Sequence, residues 1–116
     1  MRDLTLQCAG AAAILVAIIH GVLGETKVFA KATIQPERLR TLIRLVWQAG
    51  TVAWIGGGVL LIAAPSLGCE SARHWIVLTV IAVYAFACAA NAWWSRGRGC
   101  GWKALGVVVA LAIAGY

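Results

Sequence analysis

The sequence predicts an all-α polytopic membrane protein, a compact bundle of four transmembrane helices in which residues 1–116 form one domain. Three observations carry this. First, 62% of the residues are hydrophobic and 12% are charged, whereas a soluble domain carries roughly 25% charged and 45–50% apolar residues. Second, the charges gather at the N-terminus, in Glu25–Arg44, at Glu70–Arg73 and at Arg96–Lys103. Third, the intervening stretches Leu4–Gly24, Leu45–Cys69 and His74–Ser95 contain no Asp, Glu, Lys or Arg. Each meets the requirement of about 20 mostly apolar residues for a spanning helix. A fourth uncharged stretch, Ala104–Tyr116, is shorter, and Trp102 and Lys103 extend it by only a turn.

The spans are expected at about 4–23, 44–64, 75–94 and 102–116. The first ends at Gly24-Glu25-Thr26-Lys27, the exit to water. Its apolar region exceeds the usual ~7–15 residues of a signal peptide, and Ala30-Lys31-Ala32 is a poor cleavage site behind lysines, so a retained anchor is expected. Pro36-Glu37 reads as the start of the second helix, because proline is tolerated in the first turn and an acid there suits the helix dipole. Leu39, Leu42, Ile43 and Val46 continue it with helical spacing, and Pro65-Ser66-Leu67-Gly68 stops it. Such a helix begins outside the hydrocarbon, which places Arg38, Arg40 and Arg44 among lipid headgroups. Ser71 is the expected cap of the third helix, and Ser95–Gly101 a tight turn into the fourth.

Cations orient the bundle. Arg2 and Arg73 fall on one side, against Lys27, Lys31, Arg38, Arg40, Arg44, Arg96, Arg98 and Lys103 on the other. Both termini are therefore expected in the periplasm of a bacterial inner membrane, with the basic connections 25–44 and 95–103 in the cytoplasm. The net charge of +6 is explained by these span ends. No folded basic domain remains to bind nucleic acid. Trp75, Trp93, Trp94, Trp102 and Tyr116 fall at expected interfaces, and Trp54 and Tyr84 lie deeper, between helices. Small residues recur every fourth position: Ala9, Ala13, Ala17 and Gly21; Ala49, Ala53 and Gly57; Ala85 and Ala89; Gly106, Ala110 and Ala114. In lipid, association depends on close backbone approach, which such stripes permit.

His20, Gln48 and Asn91 fall at one depth near the cytoplasmic ends of their helices, with Thr51 on the face of Gln48 and Glu25 at the boundary below His20. Unpaired polar groups in hydrocarbon cost several kcal/mol, so these side chains should face inward. Two readings follow. One is interhelical hydrogen bonding that sets register, worth ~0.6 kcal/mol per bond on average. The other is a polar pocket for a proton, an ion or a headgroup. His74 falls across the membrane from His20, so a bis-histidine haem would need His20 from two subunits. Haem through His20 is not expected, and the sequence requires no cofactor. Cys8, Cys69, Cys88 and Cys100 form no C-x-x-C, so neither thiol exchange nor usual zinc spacing is indicated. Topology brings Cys8 and Cys69 to the outer face, where an oxidising periplasm permits a disulfide; the alternative is that each is a small apolar residue. Cys100, beside Arg98 and Lys103, lies in a flexible turn.

The run Ile19-His20-Gly21-Val22-Leu23-Gly24-Glu25, with Arg44-Leu45-Val46-Trp47 and Val52-Ala53-Trp54, resembles a group of small uncharacterised bacterial four-helix membrane proteins. In that group a His–Leu-Gly-Glu motif ends the first helix and an Arg-x-x-Trp-His segment opens the second. The likeness covers about half of the chain and implies the fold but no activity. Gln48 stands where the group carries histidine, which weakens any metal or haem role for the pair His20/Gln48. Small multidrug-resistance transporters depend on a glutamate within the first span, and no span here holds a carboxylate. The Gly-rich and paired-Phe motifs of fluoride channels and the cysteine pairs of thiol–quinone oxidoreductases are also missing. The expected function is that of a non-catalytic accessory or structural subunit that packs, within the bilayer, against another membrane protein or itself. The alternative is a small homo-oligomeric transporter or channel with a polar pocket at His20, Gln48 and Asn91.

Overall fold

A computed structural model describes all 116 residues as an all-α four-helix bundle measuring 49 × 28 × 18 Å. Helix α1 spans Arg2–Leu23 and continues as one π-helical turn, Gly24–Val28. Helix α2 spans Glu37–Ala63 and closes in a 3₁₀ turn, Ala64–Leu67. Helices α3 and α4 span Glu70–Ser95 and Gly101–Ala114. With their terminal turns, α1, α2 and α3 are long and apolar enough to cross a membrane. Helix α4 has 14 residues, and a rise of ~1.5 Å per residue makes it about 21 Å long, short of a ~30 Å hydrocarbon core.

The helix ends follow local chemistry. Pro36 is the extended N-cap of α2, so the helix itself begins at Glu37. Pro65 sits in the 3₁₀ turn, and Gly68 (φ 64°) adopts the left-handed conformation that reverses the chain. The expected cap Ser71 does not act as one. Cys69 takes the N-cap position with no side-chain hydrogen bond, and Ser71 falls inside the first turn. At the other end of α3, Gly97 N–H donates to Ala92 C=O and Arg96 N–H to Trp93 C=O, a Schellman closure with Arg96 left-handed.

Helix α1 lies between α2 and α4, α4 also packs on α3, and α2 and α3 touch only sparsely. The small-residue stripe of α1 faces inward as its spacing implies, with Ala9, Ala13, Ala17 and Gly21 buried. The other stripes do not. Ala49, Ala53, Ala89, Ala110 and Ala114 are exposed, and Gly57, Ala85 and Gly106 are half-buried. Helix α2 instead buries Thr51, Gly58 and Leu61. Its rotation is set by Gly58, because the α1 and α2 backbones meet there. A Cβ on Gly10 would stand 2.5 Å from Gly58 O, and one on Gly58 2.7 Å from Gly10 O. Against the flat stripe of α1 the remaining helices place larger residues, Leu61, Val77, Val80, Tyr84, Leu105 and Val108, which join Leu6 of α1 in one core.

Two residues tie this core together through polar atoms. The Tyr84 hydroxyl donates to Trp54 C=O at 3.0 Å and lies 3.3 Å from Ala13 C=O, linking α3 to α2 and α1 in the middle of the bundle. Arg73, buried near the end of the bundle that holds both termini, donates to the Asp3 carboxylate and, at 2.9 Å, to Gly115 C=O. Arg2 bonds Tyr116 C=O, and the Tyr116 hydroxyl meets His74. The short α4 is thereby fastened by its C-terminus to both α1 and α3.

Candidate functional site

The polar residues expected at one depth do gather at one end of the bundle, but they form two groups. The first is the α1–α2 seam. The π-helical turn interrupts the regular α1 hydrogen-bond ladder, and α2 delivers donors there. Trp47 Nε1 donates to His20 C=O at 3.0 Å and Gln48 Nε2 to Gly21 C=O at 3.1 Å. Gln48 Nε2 also reaches Glu25 Oε1 at 2.9 Å. Arg44 grips the same carboxylate with two nitrogens, Nε to Oε1 at 3.0 Å and a terminal nitrogen to Oε2 at 2.6 Å. Bidentate pairing of this kind fixes geometry as well as charge. Thr51, buried below, makes a long 3.4 Å bond to Trp47 C=O within its own helix.

Two glycines make the seam possible. A Cβ on Gly24 would fall 2.2 Å from Trp47 Nε1, and one on Gly21 2.9 Å from the Thr51 methyl group. Gly24 seats the indole while Glu25 receives Arg44 and Gln48. Gly24-Glu25 and Arg44–Gln48 therefore interlock residue by residue. Of the arginines expected at headgroups, Arg44 is held by Glu25, and Arg40 donates to Phe29 C=O with a looser 3.9 Å approach to Glu37. Arg38 is exposed on the same turn.

The second group lines a cleft of about 540 Å³ between α2 and α3, with His20, Trp47, Trp54, Asn91 and Trp94 among its walls. The His20 ring stacks on Trp47 (centroids 4.3 Å apart, interplanar angle 2°) and tilts against Trp54 at 4.6 Å. The Asn91 carboxamide takes part in none of the side-chain hydrogen bonds at this end of the bundle. It lies against Gly101, where a Cβ would stand 2.8 Å from Asn91 Oδ1. The fourth helix thus starts level with Asn91, about a turn short of the end of α3. His20 and Asn91 share the cleft; Gln48, Thr51 and Glu25 belong to the seam.

Cys8 and Cys69 are free and exposed. Cys88 donates to Trp102 C=O at 3.1 Å, and Cys100 is exposed. His74 lies beside Tyr116, at the opposite end of the bundle from His20. The Arg73 clasp and the role of Trp47 were not legible from spacing. A buried arginine looks like any loop cation in a charge count, although the single carboxylate near the N-terminus, Asp3, marks its partner. Comparison of the chain with protein-family models, curated proteins and solved structures finds no match.

Glu25→Ala releases both Arg44 and Gln48, and the connector after the π turn should loosen. Trypsin cleavage after Lys27 and Lys31 in detergent is expected to accelerate relative to wild type, while Glu37→Ala, at an exposed carboxylate, leaves the rate unchanged. Equal rates for wild type and Glu25→Ala would show that the seam does not hold the connector.

Proposed function

We propose that this chain is a non-catalytic accessory subunit of a bacterial inner-membrane assembly, docking through a groove between α3 and α4. The observation that carries the reading is that groove, floored by Ala85, Ala89, Ala92, Gly106 and Ala110, with a volume of about 340 Å³. Small residues in lipid allow another helix to approach closely. Here their stripes are turned away from the chain's own core. A larger membrane protein or a second copy of the chain suits such a surface equally by packing.

The alternative of a transporter or channel draws less support. Beyond the cleft, the bundle is filled by Leu6, Ala9, Ala13, Val77, Tyr84, Val108 and Ala112, which offer no line of polar side chains toward the outer end. The seam residues Gln48 and Glu25 are already engaged with one another.

The orientation proposed with this function puts both termini in the periplasm and the connections 25–44 and 95–103 in the cytoplasm, in line with the excess of cations there. Trypsin is expected to cut at Lys27 and Lys31 in inverted vesicles and to spare them in right-side-out ones; the reverse pattern would overturn the orientation. For the docking groove, the tagged chain solubilised from native membranes in mild detergent should carry a partner, or itself, at fixed stoichiometry. Ala89→Leu with Ala110→Leu lies outside the core and should abolish that association with the thermal midpoint unchanged. Recovery of wild type solely as an isolated monomer would refute the proposal.

A further inference from the structure

The α2–α3 gap holds two adjoining spaces on a different face from the α3–α4 groove. Toward the cytoplasmic end lies the aromatic cleft of about 540 Å³. Toward the outer end lies an apolar groove of about 580 Å³ lined by Gly56, Gly57, Leu60, Val80, Val83 and Tyr84. The Trp54–Tyr84 pair, with centroids 5.3 Å apart, stands at their junction. Each volume falls within the roughly 300–1,000 Å³ typical of small-molecule sites.

Chemistry differs between the two spaces. The cleft has the indoles of Trp47, Trp54 and Trp94 among its walls and, at its inner wall, Asn91 and the His20 ring, which covers one face of Trp47. Aromatic walls favour a planar ring, which stacks offset or edge-on against them. An unengaged carboxamide at membrane depth favours a ligand that supplies a hydrogen-bonding group. No Lys or Arg lines the cleft, and Arg44 at its edge of the bundle is committed to Glu25. A phosphate head would lack a counter-charge there. The second groove is largely apolar, with Thr79 and Tyr84 its only hydroxyl-bearing residues and the Tyr84 hydroxyl already bonded to Trp54 C=O, and its glycines leave room for an aliphatic chain lying along the helices.

We propose that the α2–α3 gap binds a lipid-soluble molecule with a neutral, planar, carbonyl-bearing ring and an apolar tail, the chemistry of a prenylated quinone. The ring sits among Trp47, Trp54 and Trp94 with a carbonyl on Asn91 or His20. The tail runs past the Trp54–Tyr84 pair into the groove over Gly57.

Titration of the full chain in neutral detergent with a decyl-substituted benzoquinone tests this through tryptophan quenching. Quenching is expected to saturate at one probe per chain. Asn91→Leu should weaken binding about tenfold, the loss expected when a buried carbonyl forfeits its donor. Trp94→Leu changes a side chain that is 83% exposed and contributes little to the fold; it should weaken binding as well. Gly57→Leu, whose Cβ meets only ordinary contacts at 3.6 Å and beyond, should weaken the decyl compound and leave tail-free benzoquinone unaffected. Quenching that rises without saturation, equally in wild type and both cleft variants, would reduce the effect to partition into the micelle and overturn the proposal. Full displacement of the probe by equimolar phosphatidylglycerol would overturn it too, in favour of an anionic phospholipid.

Discussion

Helices α1 and α2 touch backbone to backbone at Gly10 and Gly58, and the rest of the bundle is arranged around that contact. Lipid tails are as apolar as leucine, so nothing is gained by removing apolar surface from lipid. What remains is dispersion, which falls steeply with distance, and hydrogen bonding. A glycine on each helix at the crossing brings the two backbones within reach of both. Once α2 is rotated to put Gly58 inward, Thr51 and Leu61 follow it into the seam. Trp47 and Gln48 then arrive over the carbonyls of His20 and Gly21.

The same rotation decides what stays open. With Gly58 inward, Ala53 and Gly56 turn away from α1 and line the gap toward α3. Helix α3 is held mainly by α4, by the Tyr84 hydroxyl at mid-depth and by Arg73 at the end that holds both termini. Neither attachment closes the gap at the opposite end, where the aromatic cleft forms. Closure of one pair and opening of the other are thus consequences of one crossing point. The polar layer divides for the same reason: Gln48 and Glu25 are drawn into the closed seam, and His20 and Asn91 are left at the open one.

Much of this was legible in the sequence, and the limits are physical. Charge-free runs located the helices because hydrocarbon excludes charge over a known thickness. Depth was legible for His20, Gln48 and Asn91, since position along a helix converts directly to height. Facing was not. Ala49-x-x-x-Ala53 and Gly58 lie on the same helix, and spacing alone does not say which of them meets a neighbour. The winning face was chosen by Gly10 on another helix, a long-range condition. The partners of Arg73 were hidden for a related reason: Asp3 and Gly115 lie at opposite ends of the chain. The expected Ser71 cap failed because a local preference yielded to the turn imposed by left-handed Gly68 and extended Cys69.

The Gly10–Gly58 crossing is the contact on which the closed seam and the open gap both depend, and thermal unfolding of point variants in mild detergent measures it. In Gly58→Leu the new Cβ would lie 2.7 Å from Gly10 O and 3.2 Å from Ile14 N, so the helices must separate. Overpacking of this kind costs about 1–3 kcal/mol, and a marked fall in thermal midpoint is expected. Gly56→Ala, two residues away with nothing within 4 Å of its Cβ, should hold or raise the midpoint, by up to about 1 kcal/mol from helix propensity. Equal midpoints for Gly58→Leu and wild type would contradict the close crossing of α1 and α2, and with it the division of the bundle into a closed seam and an open gap.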